Sequence, residues 1–147
     1  MVRKVTNEDK ETFFRLSKEM YASDAVLAPI PKKYHERTFQ ELMRSDEYAE
    51  GYILESDGQI AGYALTAKTF SREAGGIVVW IEELYISEPF RSKGLGREFF
   101  EYLEEQIDPQ VTRLRLETEF ENERARKLYG RLGFKELEYM QMVKEIK

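Results

Sequence analysis

The chain contains no cysteine and a single histidine, His35, among its 147 residues. Without cysteine there is no disulfide, no thiolate nucleophile and no cysteine-based zinc or iron–sulfur site. One histidine excludes a two- or three-histidine zinc centre within one chain, and with it the HExxH arrangement. A Ser-His-Asp triad would have to use His35, and no GxSxG turn accompanies it. Long apolar runs are also missing. The longest, Ile77 to Ile81, has five residues, against the ~20 needed to span a bilayer. The segment Met1-Val2-Arg3-Lys4-Val5-Thr6 has no apolar signal core. Basic charge is in deficit, with 23 Lys and Arg against 28 Asp and Glu and a net charge of −5, a poor match to a phosphate backbone. These absences predict a cytoplasmic, soluble protein with no membrane span, no nucleic-acid partner and no metal centre.

What is present is enough for one packed core. Hydrophobic residues make up 41% of the chain, and nine Tyr, nine Phe and one Trp supply bulk to bury. No repeat or linker interrupts it, so residues 1–147 are read as a single domain. Met1 to Val5 is a short strand candidate. Thr6 with Asp9 three residues on resembles a capping box, before a helix with Phe13, Leu16 and Met20 on one face. Ala25 to Pro31 reads as a loop, and a second helix starts near Lys33. Asp57-Gly58 predicts a tight turn between strands at 52–56 and 59–70. Ile77 to Ile86 is the most strand-like segment. Leu95, Phe99, Leu103 and Ile107 mark a third helix, Val111 to Glu117 a strand, and Asn122 caps a fourth helix that Gly133 ends. From Phe134 a final strand pair is expected. The order is β-α-α-β-β-β-α-β-α-β, an α/β fold with a mixed sheet and helices on both faces.

Two segments carry chemistry. Arg91-Ser92-Lys93-Gly94-Leu95-Gly96 joins the Ile77–Ile86 strand to the third helix. Glycine at 94 and 96 permits positive φ and close approach of a ligand to the backbone. The helix start offers unpaired N–H groups, and Arg91, Lys93 and Arg97 add positive charge with no acid among them. An anion cradle is one reading, and an ordinary solvated strand-to-helix turn the other. It is not a P-loop, because GxxxxGK[ST] is absent, and Phe99 stands where a dinucleotide fingerprint needs its third glycine. The second segment runs from Asn122 to Phe134.

Taken together, Arg91-x-x-Gly94-x-Gly96 after Leu84-Tyr85-Ile86 and Pro89 resembles the acyl-CoA motif of the GNAT superfamily of N-acetyltransferases. Asn122-x-x-Ala125-x-x-Leu128-Tyr129-x-x-Leu132-Gly133-Phe134 is similar to that family's C-terminal motif. The resemblance implies a single-domain acyl-CoA N-acyltransferase fold with splayed central strands and acetyl-CoA as acyl-donor cosubstrate. It implies that the pantetheine arm pairs with the backbone of Leu84, Tyr85 and Ile86. The pyrophosphate would lie on the N–H groups of Arg91, Ser92, Lys93, Gly94, Leu95 and Gly96. Asn122 would contact the cofactor, and Tyr129 would face the thioester sulfur as an acid. Tyr129 also lies on the helix's i, i+3, i+4, i+7 stripe, which suits plain packing equally well.

An amine with a pKa near ~10 arrives protonated at neutral pH, so the reaction needs a base. With no cysteine for an acyl-enzyme, direct attack of the amine on the thioester is favoured. Glu82-Glu83 is similar to the acidic pair of polyamine and thialysine acetyltransferases, whose first carboxylate is a candidate base. Glu117 matches a functional Glu of some peptide acetyltransferases in the family. Glu82, Glu117 and water all stay open as the base. Strand parity sets Glu82 with Leu84 and Ile86, and Glu83 on the other face. The acids at 117, 119, 121 and 123 would favour a cationic acceptor, and His35, on a polar helix, is read as a surface residue. The expected activity is transfer of acetyl to a primary amine of a small cationic molecule. The alternatives are a protein or peptide N-terminal or lysine acetyltransferase, and a non-catalytic acyl-CoA-binding module. A homodimer is left open.

Overall fold

A computed structural model describes residues 1–146. They fall into two compact units, Met1–Glu117 and Thr118–Lys147, and each is described by itself.

The first unit is built on a five-stranded sheet in the order β1 (Val2–Lys4), β2 (Ala49–Ser56), β3 (Gln59–Ser71), β4 (Gly76–Ile86), β5 (Val111–Leu116). The first three pairings are antiparallel and β4–β5 is parallel, so the sheet is mixed as expected. Asp57 and Gly58 both take positive φ, 51° and 75°, and close the β2–β3 hairpin as the Asp-Gly pair predicts. The parallel pair needs a crossover, and helix α3 (Leu95–Glu105) supplies it.

Helices cover both faces. Alternation along β2 and β3 sends Ile53 and Tyr63 one way and Tyr52 and Ala64 the other. On the first face Ile53 and Tyr63 join Phe13, Leu16 and Met20 of α1 (Lys10–Tyr21) and Phe39 of α2 (Lys32–Arg44) in one buried cluster. On the second face the Tyr52 ring meets Phe99 of α3 at 5.5 Å. Thr6 and Asp9 open a short 3-10 turn before α1, with the Asp9 carboxylate accepting the Thr6 N–H at 2.8 Å. Residues 25–31 form no helix. Among the described residues no helix is long and apolar enough to cross a membrane.

The second unit holds α4 (Glu123–Arg131), whose cap residue Asn122 accepts the Ala125 N–H at 3.1 Å. Gly133 takes φ 94° just past its end. The final strand pair expected from Phe134 is not formed, since residues 134–146 belong to no strand. The alternation there suits a strand, but a strand exists only against another backbone, and Met140, Met142 and Val143 are exposed rather than packed on a sheet.

Candidate active site

The site begins where the β4–β5 ladder stops. The last paired residues are Ile81 and Leu116, so, among the described residues, residues 82–86 of β4 pair with β3 alone and their other edge faces no strand. This is the splay expected between the central strands. β3 holds that free segment closely. A Cβ on Gly62 would collide with the Tyr85 carbonyl oxygen and sit 3.0 Å from the Ile86 Cα, so only glycine fits there.

The register of β3 on β4 shifts at this point. Thr66 pairs with Ile81 and Leu65 with Glu83, which leaves Glu82 as the extra residue of a β-bulge. Strict alternation would place Ile81 and Glu83 on one face, and the bulge separates them. Glu83 and Tyr85 now lie with Tyr63 on the α1–α2 side. Glu82 and Glu117 each directly follow the last ladder pair, which brings the charge of Glu117 to bear on Glu82. Glu82 is open to solvent on one side and crowded on the other. Desolvation pushes its carboxyl above the ordinary carboxylate range, and the charges of Glu117 and Glu83 push it the same way.

Downstream of β4 the chain turns through Glu88–Phe90 into the glycine loop. Ser92 and Gly94 take φ 62° and 82°, and Gly94 caps α3. Gly96 lies inside the first turn of α3 rather than at positive φ. The first intrahelical bond runs from the Glu98 N–H to the Gly94 carbonyl at 3.0 Å, so the N–H groups of Leu95, Gly96 and Arg97 have no acceptor within the helix. Two groups assigned to the cofactor are already engaged. The Arg91 N–H donates to the Glu88 carbonyl at 3.2 Å, and the Ile86 carbonyl accepts from Arg91 Nε at 2.8 Å.

In the second unit Asn122 is occupied as the cap of α4, and Tyr129 packs on Phe134 with ring centroids 6.0 Å apart. Burial alone raises the Tyr129 hydroxyl above its ordinary pKa, so it keeps its proton through the neutral range.

Two features escaped sequence reasoning. Both oxygens of Glu83 are taken by phenols: Tyr21 donates to Oε2 at 2.8 Å and Tyr63 to Oε1 at 2.6 Å. His35 is buried, not on the surface as expected, at 6% exposure. Its Nδ1 shares a 2.6 Å hydrogen bond with Ser17 Oγ, and its ring meets Tyr21 edge-on at 5.3 Å. The available signal was the spacing of His35 with Phe39 and Leu42, one helical face that turns inward.

Against this geometry the sequence profile of the acetyltransferase (GNAT) family matches residues 8–134. The chain belongs to the GNAT family. An uncharacterised N-acetyltransferase of Lactobacillus delbrueckii subsp. lactis is 30% identical, with 69% of this chain and 64% of that protein aligned. Another, from Methanocaldococcus jannaschii, is 29% identical, with 99% and 66% aligned. The chain thus spans about two thirds of the length of these relatives. Among solved structures, a possible acetyltransferase from Clostridium difficile 630 superposes with a TM-score of 0.82 at 17% identity, covering 100% of this chain and 97% of that one. The aminoglycoside N-acetyltransferase AAC(6')-Iy, solved with CoA, gives 0.80 at 18% identity over 100% and 95%. These likenesses place the GNAT chain in the family's fold, a mixed α/β architecture with a five-stranded sheet.

Proposed function

We propose that the protein is an acetyl-CoA-dependent N-acetyltransferase that moves acetyl to the primary amine of a small cationic molecule, with the whole chain acting as one domain in the cytoplasm. The observation that carries this reading is the end of the β4–β5 ladder at Ile81 and Leu116, where an unpaired strand edge runs into a glycine loop and helix start. That a neighbour of the same fold, AAC(6')-Iy, was solved with CoA supports it.

The residues present fit the cofactor's two demands. An extended polar arm can pair with the backbone of Leu84 and Tyr85, and a pyrophosphate suits the first-turn N–H groups of Leu95 and Gly96 with the cations of Arg91 and Lys93 nearby. Backbone N–H groups of Ser92 and Gly94, and Asn122, complete the assignment. When bound, acetyl-CoA supplies an acetyl thioester that an uncharged amine can attack. Glu82 takes the proton that the ammonium must lose, aided by a carboxyl that its surroundings raise above the ordinary carboxylate range. Glu117 strengthens that shift and the local attraction for a cation. As the nitrogen bonds to the acetyl carbon and the C–S bond breaks, the Tyr129 hydroxyl would give its proton to the departing sulfur, and the second proton shed by the nitrogen would restore the Tyr129 hydroxyl, directly or through water.

A CoA-release assay over a panel of diamines, amino sugars, lysine and short peptides tests the reading. Small cationic amines should turn over best, and Gly96→Glu should abolish both turnover and the thermal shift given by CoA. Preference for peptide N-termini or peptide lysines would reassign the enzyme to protein acetylation. Binding of CoA without turnover of any amine would make it a non-catalytic module.

A further inference from the structure

Two adjacent carboxylates on β4 meet very different surroundings. Glu82 sits in the bulge, open to solvent and under the charge of Glu117 at the end of β5. Glu83 is half-buried, and both of its oxygens are held by phenols from two different elements, Tyr21 at the end of α1 and Tyr63 on β3. Burial first, and then the Glu83 charge, raises both phenols above their ordinary range, so each stays a hydrogen donor. The clamp is itself braced. The Tyr63 hydroxyl touches Met20 Sδ at 3.0 Å, and the buried Ser17–His35 pair lies behind the two rings.

The other charged groups around the pair are engaged elsewhere. Glu19 of α1 pairs with Arg15 at 3.0 Å and accepts from Ser87 at 3.1 Å and Tyr85 at 3.4 Å. Arg91 lies over the Tyr85 ring at 5.8 Å and Arg115 of β5 over Trp80 at 4.3 Å. The charge of Glu83 therefore acts on Glu82 at a set position.

We propose that Glu83 is a positioning residue: pinned by the Tyr21 and Tyr63 hydroxyls, its charge is held in place beside Glu82 and, together with Glu117, shifts the pH range over which Glu82 takes up a proton. The inference rests on the reading of Glu82 as the base, but it is measured separately from it. Placing a charge one residue from the base raises the base's affinity for a proton, and holding that charge on two donors prevents it from swinging away into solvent.

The test is carboxyl NMR of protein labelled at the glutamate Cδ, with the Glu82 signal assigned by its loss in Glu82→Gln. In Glu83→Gln the Glu82 midpoint should fall by about half a unit or more, the size expected of one nearby charge at near-surface dielectric. Glu83→Asp keeps the charge and should hold the midpoint closer to that of the parent. In Tyr21→Phe/Tyr63→Phe the freed carboxylate can swing away from Glu82, and the Glu82 midpoint should fall in the same direction as in Glu83→Gln. An unmoved midpoint in folded Glu83→Gln overturns the proposal. If that variant does not fold, a midpoint unmoved from the parent's in the double phenylalanine variant overturns it. The acid limb of kcat/KM separates the two claims. A midpoint that moves while the limb stays put removes Glu82 as the base and leaves the hold of Glu83 on it intact.

Discussion

At the scale of single residues, protonation states divide the work. Glu82 is raised by desolvation, Glu117 and Glu83, so it is protonated at pH values where an ordinary carboxylate, near ~4.3, is not. The acid limb of kcat/KM should lie above that ordinary range. Glu82→Gln should remove the limb and lower kcat/KM, with a deficit that shrinks as pH approaches the amine's own pKa, because the substrate then arrives neutral. A pH profile unaltered by the substitution moves the base to Glu117 or water. Tyr129 is raised by burial and so remains a donor. Tyr129→Phe keeps the ring against Phe134, so Tm should change little while kcat falls by ~10²–10⁴-fold, the usual contribution of a positioned acid. Full turnover in that variant would leave Tyr129 a packing residue.

At the scale of elements, the splay depends on how β3 grips β4 while β5 lets go. Gly62 is the close contact in that grip. Gly62→Ala puts a methyl group against the Tyr85 carbonyl and must push the strands apart, at a cost of about 1–3 kcal/mol. A lowered Tm together with weakened CoA binding is the expected result, read by thermal scans with and without CoA. An unchanged Tm would mean that the strands separate freely. The hairpin turn, the capping residues and the loop at 91–96 were legible beforehand because each depends on near neighbours in sequence: Asp57-Gly58 needs only its own φ, Asn122 only the N–H of Ala125. The bulge was not legible, because Glu82 becomes an extra residue only when the β3 register is known.

At the scale of the whole molecule, the sheet edge is tied down by charge. Asp9 accepts both Arg3 guanidinium nitrogens, at 2.8 and 2.9 Å, and Arg3 Nε reaches Glu55 at 3.0 Å, so β1, the start of α1 and β2 share one network. The Arg3 guanidinium holds the Asp9 carboxyl below its ordinary value against the opposing effect of burial. A carboxyl depressed in the folded state stabilises above its unfolded pKa of ~3.9 and loses that contribution as pH falls through the folded value. Asp9→Asn should therefore cost roughly 2–3 kcal/mol at pH 7, at the lower end for a broken ion pair because Arg3 is 33% exposed. By urea denaturation the gap between parent and variant should narrow below about pH 4; a gap that stays constant would assign the loss to packing.

The composition alone determined that these 147 residues supply no cysteine and, within one chain, no multi-histidine metal centre, since a chain cannot use side chains it does not have. Local pattern determined most element positions and the glycine loop, because caps, turns and amphipathic faces are decided within a few residues. Tertiary structure decided the rest. His35 reads as a polar helix residue until α1 brings Ser17 to it, and Glu83 reads as one acid among many until Tyr21 and Tyr63, 62 and 20 positions away, close on its oxygens. The alternating stretch after Phe134 reads as a strand and forms none, because pairing is a property of two backbones and one segment cannot supply both.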